Sequence, residues 1–194
     1  MKQEVHGIVL AGGKSSRMGT DKALLPIHGV PLITHITNLL LTVCQEVTVV
    51  VSAEKQGVYK AAVSPQVRFA QDVYQGHGPL AGLHAGLLAM KQSYGFLFAC
   101  DMPLFSRDLF DLMSEQTADG QRDAVLCPGQ PFHAFYHKRT AMIAEACLQK
   151  DERRMSAFLE AIAPVYLPSV EERCFLNLNT PEDYQGYLSQ WEKS

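Results

Sequence analysis

Apolar residues along this chain gather into short unbroken runs, and longer amphipathic stretches lie between them. VHGIVLA (5–11), EVTVVVS (46–52) and FLFACD (96–101) are such runs, and VRFAQD (67–72) is a shorter one that stops in a polar loop. Continuous rather than alternating hydrophobicity marks strands that are covered on both faces. Between the runs, PLITHITNLLLTVC has the spacing of an amphipathic helix, and residues 54–63 form a weaker one. ALLPI (23–27) reads as extended, with a turn at Gly29-Val30-Pro31. After a loop containing Gly76 and Gly78 comes a helix whose small residues, Ala81, Gly82, Ala85 and Gly86, recur on one face. Such a face lets a helix lie close to a sheet. Ser106 is placed to cap SRDLFDLMSEQT, with Asp108 favourable in its first turn.

Beyond about residue 120 the rhythm loosens. DAVLC, FHAFYHK and VYLP have strand character, with CPGQP as a turn, and TAMIAEACLQK and MSAFLEAIA have helix character. Thr180-Pro181-Glu182-Asp183 is a helix start: a cap, a proline at the first position and acids in the first turn. Repeated strand–helix units imply an α/β fold, a mostly parallel sheet with helices on both faces. Ligands in such sheets bind beyond the carboxyl ends of the strands. The loops after Ala11, Ser52, Asp72 and Asp101 are therefore expected to share one crevice.

Composition narrows the class. With 194 residues, 47% of them hydrophobic, the chain fits one domain with a sizeable core. A formal charge of -3 gives no general attraction to nucleic acid or to an anionic membrane surface. No stretch approaches the roughly 20 apolar residues of a membrane span, and the N-terminal apolar run is too short for a signal peptide, so a cytoplasmic protein is expected. The five cysteines are scattered singly without a C-x-x-C spacing, which argues against disulfides and zinc. His133 and His137 lie on an alternating strand pattern that separates them by about 13 Å, so they are not a metal pair.

The loop after the first strand, LAGGKSSRMGTDKALL (10–25), concentrates glycines and cations. Glycines let backbone N–H groups turn toward an anion, and cations neutralise phosphate charge. It is neither a Walker A loop nor G-x-G-x-x-G. Asp101 ends a buried strand and is either a structural acid or a Mg²⁺ ligand, since Mg²⁺ on phosphates needs one or two protein carboxylates. Asp72 also ends a strand and could hold metal or a sugar hydroxyl. Asn177 and Asn179, two apart in an extended FLNLN segment, share one face. No Ser-His-Asp or Cys-His constellation stands out, and His77 and His84 read as packing or solvent residues.

The segment LAGGKSSRMGTDK resembles the L-A-G-G-x-S-x-R-M-G-x-D-K signature of the molybdenum cofactor guanylyltransferases, and QDVYQGHGPLAGLHAGL, ACDMPL and FLNLNTPED match in order. The resemblance spans nearly the whole chain. It implies a Rossmann-like three-layer sandwich of the nucleotide-diphospho-sugar transferase type, one nucleotidyltransferase domain over 1–194. Residues 1–105 would mainly bind GTP and Mg²⁺, and 106–194 mainly molybdopterin. The implied reaction joins GMP from GTP to the terminal phosphate of Mo-molybdopterin and releases pyrophosphate. The resemblance puts the guanine and ribose at the backbone of Leu10, Ala11, Gly12 and Gly13, and Arg17 and Lys22 at the triphosphate. It puts Asp72 on the nucleotide, Asp101 on Mg²⁺, and Asn179, with Asn177 beside it, in the metal and phosphate environment. DERRMSAFLE resembles part of the pterin-binding half and implicates Arg153. Molybdoenzyme apoproteins or their chaperones would be partners. Two rival readings are a cytidylyltransferase on the same pterin or on a sugar or alditol phosphate, and a non-catalytic adaptor that binds nucleotide and cofactor.

Overall fold

The computed structural model describes residues 3–12, 21–74, 76–168 and 172–191. In chain order these form β1 (Gln3–Leu10), β2 (Pro26–Ile27), β3 (Val30–Pro31), α1 (Leu32–Val43), β4 (Cys44–Val50), α2 (Ala53–Ala62), β5 (Arg68–Ala70) and α3 (Pro79–Ala89). They continue through β6 (Tyr94–Ala99), α4 (Arg107–Glu115), β7 (Ala124–Leu126), β8 (His133–His137), α5 (Ala141–Gln149), α6 (Met155–Ala161), β9 (Pro164–Tyr166) and α7 (Pro181–Trp191). The main sheet has the order β5-β4-β1-β6-β8-β7-β9. Its strands run parallel except β8, which is antiparallel to β6 and β7.

Helices cover both faces. On one, Val9 packs with Ile33, Ile36 and Leu40 of α1 and Phe110 and Met113 of α4. On the other, Ile8 packs with Leu80, Leu83 and Leu87 of α3, Leu148 of α5 and Phe158 of α6. The adjacent residues Ile8 and Val9 thus face opposite layers, which is why the strand reads as continuously apolar. The small-residue face of α3 does allow close approach to the sheet. A Cβ on Gly82 would stand 2.9 Å from Leu10 Cδ2, and one on Gly86 would collide with Ile8 Cγ2. Ser106 caps α4, its hydroxyl accepting from the Leu109 N–H at 3.2 Å.

One element departs from the sequence reading. Residues 23–27 are not extended throughout: Lys22–Leu24 form a 3-10 turn, and extended backbone begins at Pro26. The reason is local, because the Asp21 side chain accepts from the Ala23 N–H at 3.3 Å and closes the turn. None of the five cysteines is disulfide-bonded. Among the described residues, no helix is long and apolar enough to cross a membrane.

Candidate active site

Because β5, β4, β1 and β6 are mutually parallel neighbours, the segments that follow them leave the same edge of the sheet. Ala11, Ser52, Asp72 and Asp101 therefore stand in a row along that edge, as the alternation of strands and helices implied. Neighbouring strands are roughly 4.8 Å apart, so the row is wide enough for a ligand of nucleotide size.

At one end of the row three residues from distant parts of the chain converge. Lys22 Nζ donates to Asn179 Oδ1 at 3.0 Å and lies 3.9 Å from Asp101 Oδ2. The segment carrying Asn179 is pinned here because the Leu178 N–H donates to the Asp101 carbonyl at 2.8 Å, and the Leu178 side chain is fully buried. The helix start read from the sequence completes the arrangement. Asp183 accepts from the N–H groups of Asn179 and Thr180 at 2.9 and 2.8 Å, and Thr180 Oγ1 accepts from the Asp183 N–H at 3.2 Å. Asn177 is half-buried and donates its amide N–H to the Phe175 carbonyl at 2.9 Å, so it supports the segment's shape.

Burial pushes the Asp101 carboxyl above the usual carboxylate range, while Lys22 pulls it back. The Asp101 carboxylate and the Asn179 amide oxygen are hard oxygen donors of the kind that Mg²⁺ takes, and one carboxylate suffices when phosphates supply the rest. By donor chemistry the pair suits Mg²⁺, and the Lys22 ammonium lies against the same two oxygens.

Next to this cluster lies the end of β1. The Leu10 carbonyl accepts from the Cys100 N–H at 3.0 Å, and the Ala11 N–H donates to the Val50 carbonyl at 3.1 Å. These two groups are committed to the sheet. Gly12 is exposed, and among the described residues, its chain neighbours aside, no atom lies within 4 Å of where a Cβ would be, so from that side its backbone can be approached closely. Gly13 and Arg17 lie outside the described residues.

Asp72 stands on the opposite flank, after β5. Its carboxylate accepts from the Tyr74 N–H at 2.8 Å, and burial raises its pKa against that hydrogen bond and the nearby histidines. The loop from Asp72 to Gly78 meets the loop between α5 and α6, where His77 Nε2 lies 3.7 Å from Asp151 Oδ1. Asp151 in turn holds Arg153 at 2.6 Å. Arg153 is thus exposed at the same edge, beside the Asp72 loop and not beside Lys22.

Two features were not legible as site chemistry. Asp21 is clasped by Tyr59 and Lys55 of α2, directly next to Lys22. His84 and His133 are buried, and among the described residues neither ring has a hydrogen-bond partner. His133 sits among Phe96, Phe98 and Phe175, where burial lowers its pKa to about 4. The packing reading of His84 holds, but an orphaned imidazole has no sequence signal.

Known proteins show what the whole chain is similar to. The family model described as MobA-like NTP transferase domain matches residues 7–165. A probable molybdenum cofactor guanylyltransferase of Peptoclostridium acidaminophilum is 32% identical over 204 residues, covering 96% of this chain and 90% of that protein. A protein of the same name from Bacillus anthracis is 35% identical over 189 residues, covering 92% of each. Among solved structures, molybdopterin-guanine dinucleotide biosynthesis protein A of Archaeoglobus fulgidus superposes with a TM-score of 0.83 at 24% identity, covering 97% of this chain and 100% of that one. That likeness shows the fold: a mostly parallel sheet flanked by helices, of the nucleotide-diphospho-sugar transferase type.

Proposed function

This chain belongs to the MobA-like NTP transferase family and is a nucleotidyltransferase; we propose that it transfers GMP from GTP to the terminal phosphate of Mo-molybdopterin. The products are Mo-molybdopterin guanine dinucleotide and pyrophosphate. The observation that carries the reading is the meeting of Lys22, Asp101 and Asn179 at the strand ends, beside the exposed Gly12. It is supported by relatives that are named guanylyltransferases along nearly their whole length.

In this reading the chemistry is an in-line displacement. An oxygen of the pterin phosphate forms a bond to the α-phosphorus of GTP. The bond from that phosphorus to the bridging oxygen breaks, and its electron pair leaves with pyrophosphate. A phosphate nucleophile is already ionised, so no general base is needed, and catalysis is positioning and charge neutralisation. Lys22 neutralises the triphosphate and Asn179 holds its ammonium in place. Arg17 joins Lys22 at the triphosphate. The backbone from Leu10 to Gly13 receives the guanine and ribose, beyond the Leu10 carbonyl and Ala11 N–H that the sheet already uses. Asp72 contacts the nucleotide from the other flank. Asp101 and Asn179 would hold Mg²⁺, which supplies further neutralisation of phosphate charge when bound.

The pterin would reach from Arg153 on the Asp72 flank toward Asn177 on the Lys22 flank, with residues 1–105 mainly serving GTP and 106–194 mainly the pterin. Arginine's planar fork suits a phosphomonoester. Molybdoenzyme apoproteins or their chaperones would receive the product in the cytoplasm. The test is pyrophosphate release from GTP, Mg²⁺ and Mo-molybdopterin by the purified protein, with the dinucleotide identified by mass. A clear preference for CTP would replace the guanylyl reading by a cytidylyl one. Binding of both substrates without pyrophosphate release would leave an adaptor.

A further inference from the structure

The Lys22 turn is gripped from outside the site by helix α2. The Tyr59 hydroxyl lies 2.8 Å from each oxygen of the Asp21 carboxylate, and Lys55 Nζ lies 3.0 Å from Oδ2. Tyr59 is 1% exposed and packs in the core beneath α1 and β4, so its hydroxyl is fixed in space. Asp21 is built into the turn at both ends. Its side chain accepts from the Ala23 N–H at 3.3 Å, and its carbonyl accepts from the Leu24 N–H at 3.0 Å. Lys22 is the first residue of that turn.

We propose that Tyr59 and Lys55 are positioning residues that lock Asp21, and through Asp21 hold the turn that aims Lys22 at the triphosphate. This rests on the reading of Lys22 as a triphosphate contact. A three-residue 3-10 turn has little stability of its own, and a lysine carries its charge on a flexible four-carbon stem. The free energy of holding such a group in place has to come from elsewhere, and a buried phenol on a packed helix is a rigid source. Burial, together with the adjacent Asp21 carboxylate, pushes the Tyr59 hydroxyl far above its ordinary pKa, so it stays a donor. Lys55 offsets the charge of Asp21, which leaves the charge of Lys22 available to the ligand instead of being drawn back along its own turn. Asn179 then holds the far end of the same side chain at 3.0 Å. The lysine is thus fixed at its base by α2 and at its tip by the segment before α7.

Tyr59→Phe removes one hydroxyl and keeps the ring, and it should lower kcat/KM for GTP about ten-fold, the scale of a hydrogen bond to a charged group. The same substitution in a Lys22→Ala background should cost nothing further in GTP affinity measured by calorimetry, because an effect routed through Lys22 vanishes with it. Lys55→Met, at a partly exposed position that does not threaten folding, should cost about two- to five-fold, and Lys55→Arg should restore it. A merely structural role would lower the melting temperature and act equally in both backgrounds. Equal losses in both backgrounds, or a Tyr59→Phe enzyme as active as the parent while Lys22→Ala is impaired, would overturn the positioning role. If Lys22→Ala itself leaves GTP binding and transfer unchanged, the failure lies in the reading of Lys22, and the positioning role falls with it.

Discussion

Lys22 Nζ and Asn179 Oδ1 are 3.0 Å apart although 157 positions separate them in the chain. The contact exists because Leu178 is tied to the Asp101 carbonyl on the neighbouring strand end, 2.8 Å away. One carboxylate residue thus does two things: its main chain places Asn179, and its side chain faces Lys22 at 3.9 Å.

Removing the ammonium should be the more damaging of two changes at this contact. Lys22→Ala is expected to lower kcat/KM for GTP by about 10² or more, the scale of a lost electrostatic stabiliser. Asn179→Ala leaves the charge but frees its position, and a loss of about ten-fold is expected. Steady-state kinetics on folded variants checks both, and an Asn179→Ala enzyme with unchanged kinetics would contradict its role.

Asp101 should set an acid limb on activity. The ionised carboxylate is the form that can hold a cation, and burial raises its pKa above the ordinary 3.8. At low Mg²⁺ activity is therefore lost as pH falls through a value above the ordinary 3.8, and added Mg²⁺, competing with the proton, should move the limb down. Removing Lys22, which pulls the carboxyl down, should move the limb further up. Asp101→Asn should abolish turnover at saturating Mg²⁺ and leave the fold intact, because the carbonyl that receives the Leu178 N–H remains. Circular dichroism beside the pH–rate profile measures both.

Acid should weaken the fold through His133. Its pKa is about 4 in the fold against 6.5 when unfolded. Between these values the unfolded chain binds a proton that the folded chain does not, so stability falls as pH falls, by up to about 1.4 kcal/mol per pH unit. Below the lower value the loss is complete, and above 6.5 it is absent. His133→Leu should flatten this part of the curve in urea unfolding between pH 7 and 4. At pH 7 it should be neutral or stabilising by about 1–3 kcal/mol, since among the described residues neither ring nitrogen has a partner. A slope would remain from His6, His35, His84 and His137, which burial also lowers.

Close approach of α3 to the sheet should be intolerant of even one methyl group. Gly86→Ala puts a Cβ into Ile8, and overpacking of this kind costs about 1–3 kcal/mol. Thermal unfolding of the variant would show it. A melting temperature equal to the parent's would mean that Ile8 can move aside.

The strands and the helices were readable because they rest on neighbours in the chain: apolar runs, caps at Ser106 and Thr180, and small residues on one face of α3. The misreading at residues 23–27 was also local. The apolar ALLPI run outweighed the Asp21 cap, which bonds only two residues onward and turns the backbone before Pro26. That the strand ends share one edge followed from the alternation of strands and helices, and Asp72 and Asp101 do leave that edge, but their order along it came only with the sheet.

The sequence by itself determined the layers, the edge at which the strand ends gather and the family to which the motifs belong. Only the tertiary structure decided which side chains meet there. Lys22 with Asn179, Asp21 with Tyr59, and His77 with Asp151 are pairs whose contact depends on β1 lying between β4 and β6 and on the chain returning to Asp101 before α7. Periodicity reports which face of an element is buried. It carries no information about which distant element covers that face, because that is set by packing of the whole sheet.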